Sequence, residues 1–71
     1  MSIIKYEIFE SVITTGSFTK AAEKLNMTQS AVSHAISSLE KELGTSLFLR
    51  TGRPITLTLH GTKAYEYIGQ I

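Results

Sequence analysis

Of the hydrogen-bonding side chains between residues 29 and 41, Gln29, Ser30, Ser33, His34, Ser37 and Lys41 are spaced so as to share the outer side of one helix. Serine beside histidine raises nucleophilic catalysis first, which needs a base in hydrogen-bond reach and a third group to orient that base. No such set can be assembled: Asp is absent, His60 stands in a different segment, and Ser33 and Ser37 around His34 on one helix form a solvated-face pattern. A metal centre fails for want of ligands, because two His, scattered Glu and no Cys offer too few donors. The chain is therefore expected to be no enzyme and to use no metal or cofactor.

What remains is recognition by hydrogen bonding. A Gln amide can bond both polar atoms of an adenine edge, and short Ser side chains let a helix backbone lie deep in a major groove about 12 Å wide. No acid falls between residues 28 and 39 to repel phosphate. Taken alone, the stretch reads as an ordinary solvated face, which most amphipathic helices have. Thr19, Lys20 and Thr28 carry a similar double meaning. Hydroxyls, ammonium groups and helix N-termini contact phosphate without reading sequence, and they also cap and solvate helices. Arg50 either braces a turn or touches a nucleic-acid backbone, whereas Arg53, beside Pro54 at a turn, is the better placed to enter a minor groove.

Such a face needs a scaffold, and the apolar periodicity supplies one. Ile4, Ile8, Phe9, Val12 and Ile13 recur at helical spacing within residues 3 to 14, until Gly16, which tolerates a positive φ. Ser17 can cap a second, short helix with Phe18, Ala21, Ala22 and Leu25 inward, and Asn26 suits a left-handed end. Thr28 caps a third helix, about residues 28–43, whose inner stripe is Ala31, Val32, Ala35, Ile36, Leu39 and Leu43, before Gly44. Only Asn26 and Met27 separate Leu25 from Thr28, and so tight a join reads as a helix-turn-helix. Phe9, Phe18, Met27, Leu39 and Phe48 are assigned to the core.

Beyond Gly44 the pattern changes to a two-stranded wing, about residues 47–58: a strand at 47–49, a turn at 51–54 and a return strand at 55–58. Pro54 is tolerated at the edge of such a ribbon. Thr58 caps a final helix from Leu59 that is expected to continue to residue 71. Its apolar side, Ala64, Tyr65, Tyr67, Ile68 and Ile71, is broader than a thin domain readily covers, unless it packs back on Ile4 and Ile8 of the first helix.

Length bounds the rest. A chain of 71 residues supports one small domain, without internal repeat or linker. It buries only about 60% of its unfolded surface, so a partner subunit adds useful stability. The lack of Cys suits a reducing cytoplasm, and neither a signal peptide nor an apolar run of membrane-spanning length is visible. A net charge of +1 hides segregation, because residues 43–63 hold Arg50, Arg53 and Lys63 with no acid.

The run from Gly16 to Ala22, then Leu25, the run from Thr28 to Ser33, Ile36, Leu39, Glu40, Leu43, Gly44, Leu47, Phe48, Arg50, Leu57, Thr58 and Gly61 resembles the LysR-type transcriptional regulators. The likeness covers nearly the whole chain. It implies a mainly α, winged helix-turn-helix fold with a three-helix core, a two-stranded β wing and the start of a long linker helix. Residues 1–58 would be the DNA-binding domain and residues 59–71 the start of the linker and dimerisation helix. The implied function is sequence-specific binding of double-stranded DNA by a cytoplasmic homodimer, with no membrane partner. A small-molecule effector is expected only where an effector-binding domain of two α/β lobes is attached.

On this reading Gln29, Ser30, Ser33 and His34 meet bases, while Thr19, Lys20, Thr28, Ser37 and Lys41 meet the backbone. Arg50, Arg53 and Pro54 form the wing, and Ala64, Tyr65, Tyr67, Ile68 and Ile71 form the dimer contact. Two residues depart from the common family pattern on the face expected to meet DNA: Ser30 stands where many members have Pro, and His34 where Arg is common. Leu59 stands where relatives often carry Glu. The alternative is a winged-helix module that binds protein, which the salt dependence of binding distinguishes.

Overall fold

The computed structural model describes residues 3–52 and 54–69. Helix α1 (Ile3–Thr15) buries Ile8, Phe9 and Val12 and stops where Gly16 takes a φ of 69°. Helix α2 (Phe18–Leu25) starts at Ser17, whose side chain accepts from the Lys20 backbone N–H at 3.1 Å. Its two buried residues, Ala21 and Ala22, are small, so neighbouring helices approach closely. Asn26 closes it in the left-handed conformation at φ 56°, and the Met27 N–H bonds back to the Ala22 carbonyl at 2.9 Å. The chain then turns at once into helix α3 (Gln29–Leu43), capped by Thr28, which accepts from the Ala31 N–H at 3.1 Å.

Val32, Ile36 and Leu39 face inward from α3, and the three helices pack on one another around a single core. Leu47 and Phe48 close that core from the wing. The Phe48 ring meets Phe9 edge-on at 5.5 Å and Phe18 at 5.9 Å. Strand β1 (Phe48–Leu49) pairs antiparallel with β2 (Thr56–Leu57), Phe48 opposite Leu57 and Leu49 opposite Thr56. Helix α4 (Leu59–Ile68) follows, and Thr58 does two jobs at its start. The Thr58 hydroxyl accepts from the Gly61 N–H at 2.9 Å and donates to the Ser46 carbonyl at 2.7 Å.

Three expectations need correction. Ile4 is 57% exposed and Leu43 39% exposed, so neither belongs to the buried stripe of its helix. Each is the chain neighbour of a surface ion pair, in which Lys5 reaches from the first turn of α1 to Ser38 and Glu42 of α3. The strands are two residues each, shorter than 47–49 and 55–58. The flanking N–H groups go elsewhere: that of Leu47 to the Glu40 carboxylate at 2.7 Å, and that of Ile55 to the Gly16 carbonyl at 3.0 Å. Within the described residues α4 runs to Ile68, with the Gly69 N–H bonded to the Tyr65 carbonyl at 2.9 Å. Its expected extension to Ile71 lies outside the described residues, as does Arg53.

Candidate nucleic-acid interface

The outer face of α3 follows from its inner one. With Val32, Ile36 and Leu39 buried, the 3.6-residue period turns Gln29, Ser30, His34, Ser37 and Lys41 to solvent and leaves Ser33 half-buried at the margin. Gln29 and Ser33 are one turn apart and bonded, the Gln29 Nε2 donating to the Ser33 Oγ at 2.8 Å. This bond fixes which way the amide faces. It leaves the Gln29 carbonyl oxygen and one N–H unspent, the acceptor and donor that an adenine edge requires.

The N-terminal turns of α2 and α3 open on a shared cleft of about 520 Å³ between them and the wing. Ser17, Thr19, Lys20, Gln29, Arg50 and Pro54 are among its lining residues. The structure thus brings together groups that lie tens of positions apart in the chain: exposed Thr19 and Lys20 from α2, Gln29 from α3 and Arg50 from the wing. Thr28 is exposed beside them; its hydroxyl oxygen accepts in the cap, which leaves the O–H to donate. Ser37 and Lys41 lie farther along α3. Lys41, in its last turn, also opposes the negative end of the helix dipole.

Arg50 does brace. Its Nη2 donates to the Glu40 Oε1 at 2.8 Å and its guanidinium lies 5.1 Å from the centre of the Phe18 ring. Glu40 is not recognisable as the partner from residue spacing, because the two residues sit on different segments and share no helical or strand period. The role of Lys5 is hidden from the sequence in the same way. Its ammonium group donates to the Ser38 Oγ at 2.9 Å and to Glu42, tying α1 to α3. Lys5 holds the Glu42 carboxyl below its ordinary range, chiefly through that hydrogen bond and against a smaller desolvation.

On α4 the apolar residues divide. Ala64, Tyr65 and Ile68 are half-buried against the chain's own core, the Tyr65 ring edge-on to Phe9 at 6.3 Å. Tyr67 is 72% exposed, and Ile71 lies outside the described residues. A groove of about 170 Å³ runs between α1 and α4, with Ile3, Tyr6, Phe9, Tyr65 and Ile68 on its walls. Among the described residues there is no group of three or more His, Asp or Glu able to hold a metal ion, and no helix long and apolar enough to cross a membrane.

The pattern of the family described as bacterial regulatory helix-turn-helix protein, lysR family, matches residues 4–62. The chain is 52% identical over 60 residues to an HTH-type transcriptional regulator of Sinorhizobium fredii, y4mQ, covering 84% of this chain and 20% of that protein. It is 41% identical over 73 residues to the RuBisCO operon transcriptional regulator of Allochromatium vinosum, covering 99% of this chain and 24% of that one. Among solved structures, the DNA-binding domain of BenM in complex with benA site 1 DNA superposes with a TM-score of 0.93 at 38% identity. That match covers 99% of this chain and 79% of the BenM chain. The chain thus spans about a quarter or less of the length of the curated relatives it matches.

Proposed function

This chain belongs to the lysR family of bacterial regulatory helix-turn-helix proteins, and from that premise we propose that it binds double-stranded DNA sequence-specifically, as part of a transcription regulator that catalyses no reaction. The observation that carries the reading is the outer face of α3. It is free of acid from residue 28 to 39, stocked with short hydrogen-bonding side chains, and continuous with the cleft that holds Lys20 and Arg50. α3 enters the major groove, where Gln29, Ser30, Ser33 and His34 face base edges. Thr19, Lys20, Thr28, Ser37 and Lys41 meet backbone oxygens, and the wing, with Arg50, Arg53 and Pro54, lies at the adjacent minor groove.

Residues 1–58 act as the DNA-binding domain, and residues 59–71 begin a linker helix through which two copies pair in the cytoplasm. Exposed Tyr67 and the α1–α4 groove support a contact there. Pairing sets two α3 helices about one DNA turn apart, roughly 34 Å, on a site of two-fold symmetry. The test is titration of a duplex at increasing salt. DNA binding releases counterions, so affinity should fall steeply, with a log–log slope near −0.9 per phosphate contacted. A flat profile would instead favour a protein-binding module.

A further inference from the structure

Glu40, in the last part of α3, commits both carboxylate oxygens to the wing. One accepts from the Leu47 backbone N–H at 2.7 Å and the other from Arg50 at 2.8 Å. Arg50 is gripped from a second side by the Phe18 ring of α2, at 5.1 Å, which itself packs on Phe48 of β1. An arginine that directly follows a two-residue strand is thereby fixed to two helices at once. Its side chain is still 44% exposed and lines the cleft with Thr19 and Lys20. A guanidinium has five N–H donors, and Glu40 occupies only one.

We propose that Glu40 is a positioning residue for DNA binding, holding the Arg50 guanidinium at the wall of the cleft as a pre-set cation for a backbone phosphate. The inference rests on the DNA-binding reading above and adds a role that charge alone contradicts. An acid beside a polyanion repels it, so Coulomb's law by itself predicts that neutralising Glu40 tightens binding. Positioning predicts the opposite sign. A released Arg50 would have to be ordered again on each encounter, and the entropy that Glu40 and Phe18 have already removed would return as a cost of binding. Glu40→Gln is the informative change, since the amide oxygen still accepts from the Leu47 N–H while its N–H₂ offers Arg50 no acceptor.

The experiment is a double-mutant cycle with Glu40→Gln and Arg50→Gln, reading affinity for one duplex by fluorescence anisotropy at fixed low salt, with the melting temperature of each variant alongside. With Arg50 present, Glu40→Gln should weaken binding about fivefold. In the Arg50→Gln background the same change should leave affinity unchanged or raise it, because only the repulsion is then removed. Glu40→Gln that binds as tightly as the parent, or tighter, overturns the proposal. An equal loss in both backgrounds overturns it too, since that marks simple loss of wing structure. Should Glu40→Gln fold poorly, Arg50→Lys serves instead. It keeps the charge but loses the planar guanidinium that lies against Phe18 while bonding Glu40, and it must bind more weakly at a near-parental melting temperature; parental affinity would overturn the positioning role. A parent chain that binds no duplex at all refutes the DNA-binding reading itself, before any variant is compared.

Discussion

At the scale of single residues, the proposed interface divides its side chains between base reading and backbone contact. Gln29 has its amide oriented by Ser33, so both of its remaining hydrogen-bonding positions are available to one base edge. Removing it with Gln29→Ala should cost about 1–3 kcal/mol on the preferred duplex and little on an unrelated one. Lys20→Ala should weaken both duplexes alike and reduce the salt slope by about one. Titrating both variants against both duplexes checks this, and a uniform loss for Gln29→Ala would remove it from base reading. The exposed face of α3, with Gln29, Ser30, His34, Ser37 and Lys41, was legible in the sequence because it lies opposite Val32, Ile36 and Leu39. The bracing of Arg50 by Glu40 was only half legible. Bracing was one of two meanings that a residue before a turn allows, and its partner lies on α3, outside any local period.

At the scale of elements, capping carried the most information. Ser17, Thr28 and Thr58 each accept a backbone N–H of their own helix, a bond within one turn that residue type and spacing alone announce. Asn26 and Gly44 likewise mark left-handed helix ends. Strand lengths were less legible, because Leu47 and Ile55 have strand-like neighbours but give their N–H groups to Glu40 and Gly16.

The join between wing and α4 is equally tertiary. A Cβ at Gly61 would collide with the Leu47 carbonyl oxygen and press on Leu57. Gly61→Ala should therefore destabilise the domain by about 1–3 kcal/mol despite its better helix propensity, as read by urea unfolding, and parental stability would show that α4 moves freely. The tie between α1 and α3 has a pH signature. Because Lys5 lowers the Glu42 pKa in the folded state, the contact stabilises above the ordinary Glu range near 4.5 and its contribution is lost as pH falls through the lowered value. Glu42→Gln should flatten that part of the acid decline in melting temperature. An unchanged acid profile would mean that the Lys5 contact contributes nothing to stability.

At the scale of the whole molecule, one small core must support a surface of opposite demands: α3 exposed to a polyanion, α4 partly exposed and apolar. The sequence displayed the apolar residues of α4 but not which of them the chain covers itself, since both uses suit the same residue types. Ala64, Tyr65 and Ile68 pack on the chain's own core, and Tyr65 meets Phe9. The proposed pairing of two copies would then rest on exposed Tyr67 and the α1–α4 groove. Sedimentation should show mass rising with concentration for the parent and not for Tyr67→Glu; identical behaviour of the two would place the pairing surface elsewhere.

The central claim is that the outer face of α3 reads DNA sequence, and selection of duplexes from a random pool tests it most directly. The parent chain should enrich a half-site, present in two copies related by two-fold symmetry, and Gln29→Ala should lose the base preference at one position of each copy while keeping the spacing. A pool that emerges unenriched, or a Gln29→Ala variant that recovers the parental preferences at every position, would contradict it.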